Sequence, residues 1–213
     1  MPSCCTPDDY DRVFGERFAR HTASRYRKHG LDKAAREIVD LVQQRQLTKP
    51  TILEIGGGVG GIHVELLKRG AAHATNLELS PRYESQARQL LLDNGVSERV
   101  DRRLVDIAAR PDDVEPADVV VLHRVVCCYP DYAKLLGAAA THARHLVIYS
   151  YPPRTLLARA MIGVENSWFR LRGRGFRVFA HPPAAMLKTM EAHGLRPVAV
   201  KSVGGWQVAA VRR

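Results

Sequence analysis

The sequence predicts an α/β fold, a mostly parallel sheet wrapped by helices on both faces. Three observations carry this. Thr51-Ile52-Leu53-Glu54-Ile55 is a short apolar strand that runs into Gly56-Gly57-Gly58-Val59-Gly60-Gly61 and then a helix opening at about Ile62. Strand and helix signals alternate from there onward. Ala117 to Leu122 (ADVVVL) is a compact apolar run of the kind buried on both faces.

The elements follow in order. Tyr10, Phe14, Phe18 and Tyr26 recur at helical intervals of four or eight, so residues 8–30 read as one or two helices lying over a pocket. Leu31 to Leu47 reads as an amphipathic helix with Ile38, Leu41 and Val42 on one face and Asp32 as its cap. A second strand runs Ala74 to Leu79, and Ser80-Pro81 starts the next helix. The third strand, Val100 to Val105, ends at Asp106. Tyr132 to Ala143 reads as helix and His145 to Ser150 as the fifth strand. Residues 151–183 break the rhythm between two Pro-Pro pairs and read as an insert with a helix from Thr155 to about Leu171. Ala184 to His193 returns to helix. Pro197 to Val203 and Trp206 to Val211 form a closing hairpin through Gly204-Gly205. The expectation is one domain over 1–213, with residues 1–48 as a helical lid and 151–183 as a substrate-side insert.

Composition narrows the class. The 213 residues are 46% hydrophobic and 25% charged, enough to bury a real core. No apolar run approaches the roughly 20 residues of a membrane span. Met1 to Asp11 lacks a basic-then-apolar leader pattern, so cytoplasmic residence is expected. The net charge of +10 points to an anionic partner or to a solvated arginine-rich surface. No basic run with interleaved aromatics resembles a nucleic-acid module, and the densest basic stretch, Phe169 to Arg177, lies in the insert. Cys4-Cys5 and Cys127-Cys128 do not have zinc-ligand spacing; no metal is expected. Cys127 or Cys128 is expected to be buried, and Cys4 or Cys5 to be an exposed thiol.

Glu54 distinguishes the ligands that a glycine loop admits. A carboxylate at the tip of the first strand repels a dinucleotide pyrophosphate and attracts the ammonium of S-adenosyl-L-methionine (SAM). Gly56-x-Gly58-x-x-Gly61 also satisfies the dinucleotide pattern, and Glu78 suits either cofactor's ribose. SAM is the favoured cofactor. A ligand-free turn, a non-catalytic SAM-binding protein and an NAD-linked oxidoreductase stay open beside it.

Residues 51–213 resemble the class I SAM-dependent methyltransferases: the glycine motif, acids ending the second strand (Glu78) and following the third (Asp106), ADVVVL, and the terminal hairpin. The resemblance implies a Rossmann-like three-layer sandwich whose seven-stranded sheet is mostly parallel with an antiparallel last strand. It implies that Glu54, Gly56, Gly58 and Gly60 hold the methionine portion and that Glu78, with Leu79 beside it, holds the ribose hydroxyls. Asp106 would meet the adenine amino group, Ile107 would pack on the ring, and His123 would lie near the sulfonium. The segment SYPPRTLLARA (150–160) looks like the corresponding region of magnesium-protoporphyrin O-methyltransferases. His123 is the first candidate for a general base, ahead of Tyr129, Tyr151 and His181. Tyr129, Tyr151 and Arg154 are candidate substrate-binding residues, and Arg170 or Arg172 candidates for orienting a carboxylate acceptor. The expected activity is methyl transfer to oxygen or nitrogen of a small anionic or aromatic molecule, with RNA or protein as less favoured acceptors.

Overall fold

A computed structural model describes residues 5–213. Its strands are β1 (Thr51–Ile55), β2 (His73–Glu78), β3 (Val100–Leu104), β4 (Ala117–Leu122), β5 (Ala143–Tyr151), β6 (Arg196–Val203) and β7 (Trp206–Arg212). They form one sheet in the order β3-β2-β1-β4-β5-β7-β6. The first five are parallel, and β7 lies antiparallel between β5 and β6. This is the expected mostly parallel seven-stranded sheet. The strand order turns back between β1 and β4, which opens a crevice at their carboxyl ends.

Eight helices flank the sheet: α1 (Pro7–Val13), α2 (Glu16–His29), α3 (Lys33–Gln43), α4 (Gly61–Lys68), α5 (Glu84–Asp93), α6 (Tyr132–Thr141), α7 (Leu156–Leu171) and α8 (Pro183–Ala192), counted among the described residues. Alternate strand residues point to opposite faces. Leu53, Val120, Val147 and Tyr149 pack with Leu136 of α6 and Met190 of α8. Ile52, Val119, Val121 and Ile148 pack with Ile38 of α3 and Leu66 of α4. Burial on both faces is why the central strands read as unbroken apolar runs. Asp118 is the exception in ADVVVL: it accepts from the Thr51 backbone N–H and hydroxyl, both at 2.8 Å, and pins β4 to the start of β1.

Local chemistry sets the boundaries. Asp32 caps α3 by accepting from Ala35 N–H at 3.0 Å, and Thr155 caps α7 through Ala158 N–H at 3.2 Å. Gly204 and Gly205, with φ of 59° and 82°, close the β6–β7 hairpin. Residues 8–30 fall into two helices, interrupted at Phe14 and Gly15. Ser80-Pro81 opens a single 3₁₀ turn before α5, with the Ser80 hydroxyl accepting from Arg82 N–H. The fifth strand extends past its expected ends because Ala143 pairs with Ala117 of β4 at one end and Tyr151 with Gln207 of β7 at the other. Among the described residues no helix is long and apolar enough to cross a membrane.

Candidate active site

A cavity of about 460 Å³ lies at the carboxyl ends of β1, β2 and β4, within the usual range for small-molecule sites. Its walls hold Glu54, Gly56, Gly58, Glu78, Leu79, Asp106, Ile107, His123 and Tyr129 from the sequence-derived set. The N-terminal helices add an aromatic side through Tyr10, Phe14, Phe18 and Tyr26. Gly60 lies just behind, as the N-cap of α4.

The glycine loop is shaped by what surrounds it. Gly58 sits at φ 57°, a region L side chains resist, and a Cβ there would stand 3.2 Å from the Tyr83 ring. At Gly60, φ is 90° and a Cβ would collide with the His63 imidazole. The loop is held from below by Glu78, whose carboxylate accepts from Gly58 N–H and Leu79 N–H at 2.8 Å and from Ser80 N–H at 3.2 Å. Burial pushes the Glu78 carboxyl above its ordinary range, against the pull of those three N–H groups and the Arg102 charge.

Glu54 is almost fully buried, and its Oε2 accepts from His63 N–H at 3.1 Å and meets His63 Nδ1 at 2.7 Å. His63 Nε2 is buried without a partner among the described residues, which fits a ring carrying its proton on Nδ1. Asn76, wholly buried beside Gly57 and Glu54, has neither amide atom paired among the described residues. The sequence reading missed both residues. The signal for His63 was a polar ring in the first turn of a helix whose neighbours, Ile62 and Val64, are apolar.

Asp106 turns one oxygen to Ala108 N–H and the other to the Tyr129 hydroxyl, each at 3.0 Å. Burial and the Asp106 charge push the Tyr129 phenol above its ordinary range, so it is a donor to Asp106 and a poor proton acceptor. Ile107 is buried against the cavity floor.

His123 is held through one ring nitrogen: Nδ1 lies 3.0 Å from Ser150 Oγ, while Nε2 stands 3.8 Å from Asp32 Oδ2, too far for a hydrogen bond. Arg124 donates its backbone N–H to the same serine and pairs with Asp32 at 2.8 Å. It does so from φ 60°, a strained conformation for a non-glycine residue, on the cavity wall. At Asp32 burial opposes ionisation, but His123, the Ala35 N–H and Arg124 outweigh it and hold the carboxyl well below the usual range. Sequence reasoning found only the capping role of Asp32.

Other candidates lie elsewhere. Tyr151 is buried in the sheet core, stacked on Tyr149 at 5.8 Å. His181 bonds the Tyr129 carbonyl at 2.9 Å, and burial lowers its pKa. Arg154, Arg170 and Arg172 are exposed, and no residue of 151–183 lines the cavity. Instead Phe169 and Phe176 from that segment pack behind Tyr10. Cys127 is buried as expected. Cys5 is half-buried rather than exposed, because it packs with Cys128 against the Tyr10–Phe176 cluster; Cys4 lies outside the described residues. No group of three or more His, Cys, Asp or Glu among the described residues could hold a metal ion.

A seven-stranded sheet of this order, a glycine loop after β1 and acids ending β2 and following β3 define a class I SAM-dependent methyltransferase domain. The chain belongs to the family whose model, described as a methyltransferase domain, matches residues 25–200. The cofactor of such domains is SAM. Two relatives, ubiquinone biosynthesis O-methyltransferases of Xylella fastidiosa strains M23 and Temecula1, are each 29% identical over 147 residues. The match covers 63% of this chain and spans 58% of those relatives' length. Magnesium protoporphyrin IX methyltransferase from Synechocystis PCC 6803, solved with S-adenosylhomocysteine (SAH), superposes with a TM-score of 0.70 at 17% identity over 97% of this chain and 93% of that one. An O-methyltransferase family 2 protein from Planctomyces limnophilus, in complex with apigenin, gives 0.66 at 15% identity over 92% and 61%.

Proposed function

We propose that the chain transfers a methyl group from SAM to an oxygen atom, or second to a nitrogen atom, of a small aromatic or anionic molecule. The observation that carries the reading is a single cavity joining the glycine loop, Glu78 and Asp106 to the aromatic side made by Tyr10, Phe14, Phe18 and Tyr26. Arg25, Arg124 and His21 at the same cavity suit an anionic substituent. Oxygen comes first because the two curated relatives are named O-methyltransferases.

The residues present fit the cofactor. Gly58 leaves backbone exposed where a side chain would meet Tyr83, and the Glu78 carboxylate already lies against the loop's N–H. Glu54 with Gly56, Gly58 and Gly60 would hold the methionine end. Glu78 and Leu79 would hold the ribose, Asp106 the adenine amino group and Ile107 the ring face. When bound, SAM supplies a methyl group on a positively charged sulfur. The chain's own part is to align the acceptor and exclude water, and alignment alone is worth roughly 7–11 kcal/mol. His123 is a positioning residue in this reading, holding the start of α3 against the exit of β4. With His123 Nδ1 engaged by Ser150 and Tyr129 kept protonated, the site suits acceptors that ionise readily, such as phenols and carboxylates.

The test is SAH release from SAM with panels of phenols, carboxylates and amines. Turnover on phenols or carboxylates is expected. SAM binding with no turnover on any panel would favour the non-catalytic reading.

A further inference from the structure

We propose that α7 is a docking surface for an anionic membrane, lying in the lipid headgroup region rather than crossing it. Leu157, Met161, Val164, Trp168 and Leu171 are spaced 4, 3, 4 and 3 residues apart and are 72%, 64%, 72%, 54% and 82% exposed. At about 100° per residue these five fall within an arc of about 80°. Leu156, 83% exposed, extends the patch at the start of the helix. Phe169 is the one buried residue of α7; it lies about 120° round the helix from Leu157 and packs in a cluster with Phe176 and Tyr10. The helix therefore spends its inner side on the fold and presents a separate apolar stripe to solvent. Contiguous apolar exposure of this kind marks an interaction site.

Charge selects the occupant. Between residues 154 and 177 there are six arginines (Arg154, Arg159, Arg170, Arg172, Arg174 and Arg177) and a single acid, Glu165. None of the six pairs with a carboxylate among the described residues. Arg172 instead lies over the Trp168 ring at 4.3 Å. Arginine beside an interfacial tryptophan and an apolar stripe is the chemistry of a helix that rests on anionic lipid. A second copy of the chain would bring Arg172 and a molecule of net charge +10 against its own like. On its inner side α7 joins Phe169 to a cluster with Phe176 and Tyr10, and Tyr10 lines the cavity, so docking would turn this side of the molecule toward the lipid.

Sedimentation with vesicles tests this without turnover, so its outcome is separate from that of the methyl-transfer reading. The full chain should sediment with phosphatidylglycerol–phosphatidylcholine vesicles and stay in the supernatant with phosphatidylcholine alone. The variant Leu157→Ser/Val164→Ser/Leu171→Ser should lose at least tenfold in partitioning while keeping its SAM affinity, which reports folding. Unaltered partitioning in that variant, or no binding to anionic vesicles by the parent chain, would overturn the proposal. So would a dimer in light scattering that the triple variant dissolves.

Discussion

His63 Nδ1 lies 2.7 Å from Glu54 Oε2, tying the first turn of α4 to the tip of β1 inside the core. The acid that the sequence singled out for ligand charge is thus also a structural acceptor. The two roles are separable by mutation. Glu54→Gln keeps an oxygen for His63 and should leave the thermal midpoint nearly unchanged while weakening SAM binding. His63→Leu leaves the buried Glu54 oxygen without its ring partner, at a cost of about 1–3 kcal/mol. Calorimetry with SAM and thermal melts of both variants check the pair.

Gly58→Val should abolish SAM binding. It places a β-branched side chain at φ 57° and against Tyr83, where backbone strain alone costs about 1–3 kcal/mol. Gly58→Ala should fall between, still folded but binding weakly. Equal affinity of the valine variant and the parent in titration calorimetry would contradict the loop's assigned role.

Asp32 gives a pH prediction. Its folded pKa is depressed, so its contribution is full above the unfolded value of about 3.9 and is lost as pH falls through the folded value. Asp32→Asn keeps a cap for α3 but loses the pair with Arg124, so its deficit against the parent should be steady at neutral pH and shrink below about pH 4. Asp32→Ala should cost about 1 kcal/mol more than Asp32→Asn at neutral pH, the usual value of a lost helix cap. Urea unfolding at neutral pH and at pH 3.5 measures both.

The sheet was legible because its signals are local. Unbroken apolar runs, glycine turns and the Asp32 cap depend on neighbours in the chain, and the mostly parallel seven-stranded sheet with its antiparallel last strand followed from the resemblance. The cavity acids were legible too, since a residue ending a parallel strand must open onto the crevice. What was hidden depends on contacts across the fold. Asp32 and Arg124 are far apart in sequence, and nothing local shows that they meet on a strained turn. The insert at 151–183 was read as a substrate-side cap because it breaks the strand–helix rhythm between two Pro-Pro pairs, and its arginines were then taken to face an anion. Packing decided otherwise, with Phe169 and Phe176 turned inward behind Tyr10 and the arginines left outside.

The central claim is that the crevice at β1 accepts an amino-acid zwitterion joined to a nucleoside and refuses a diphosphate. Titration of the chain with SAH and, separately, with NADH addresses it most directly. Saturable heat with SAH is expected, lost in Gly58→Val and strongly reduced in Glu78→Ala, with no binding of NADH. Saturable NADH binding with no response to SAH would contradict it.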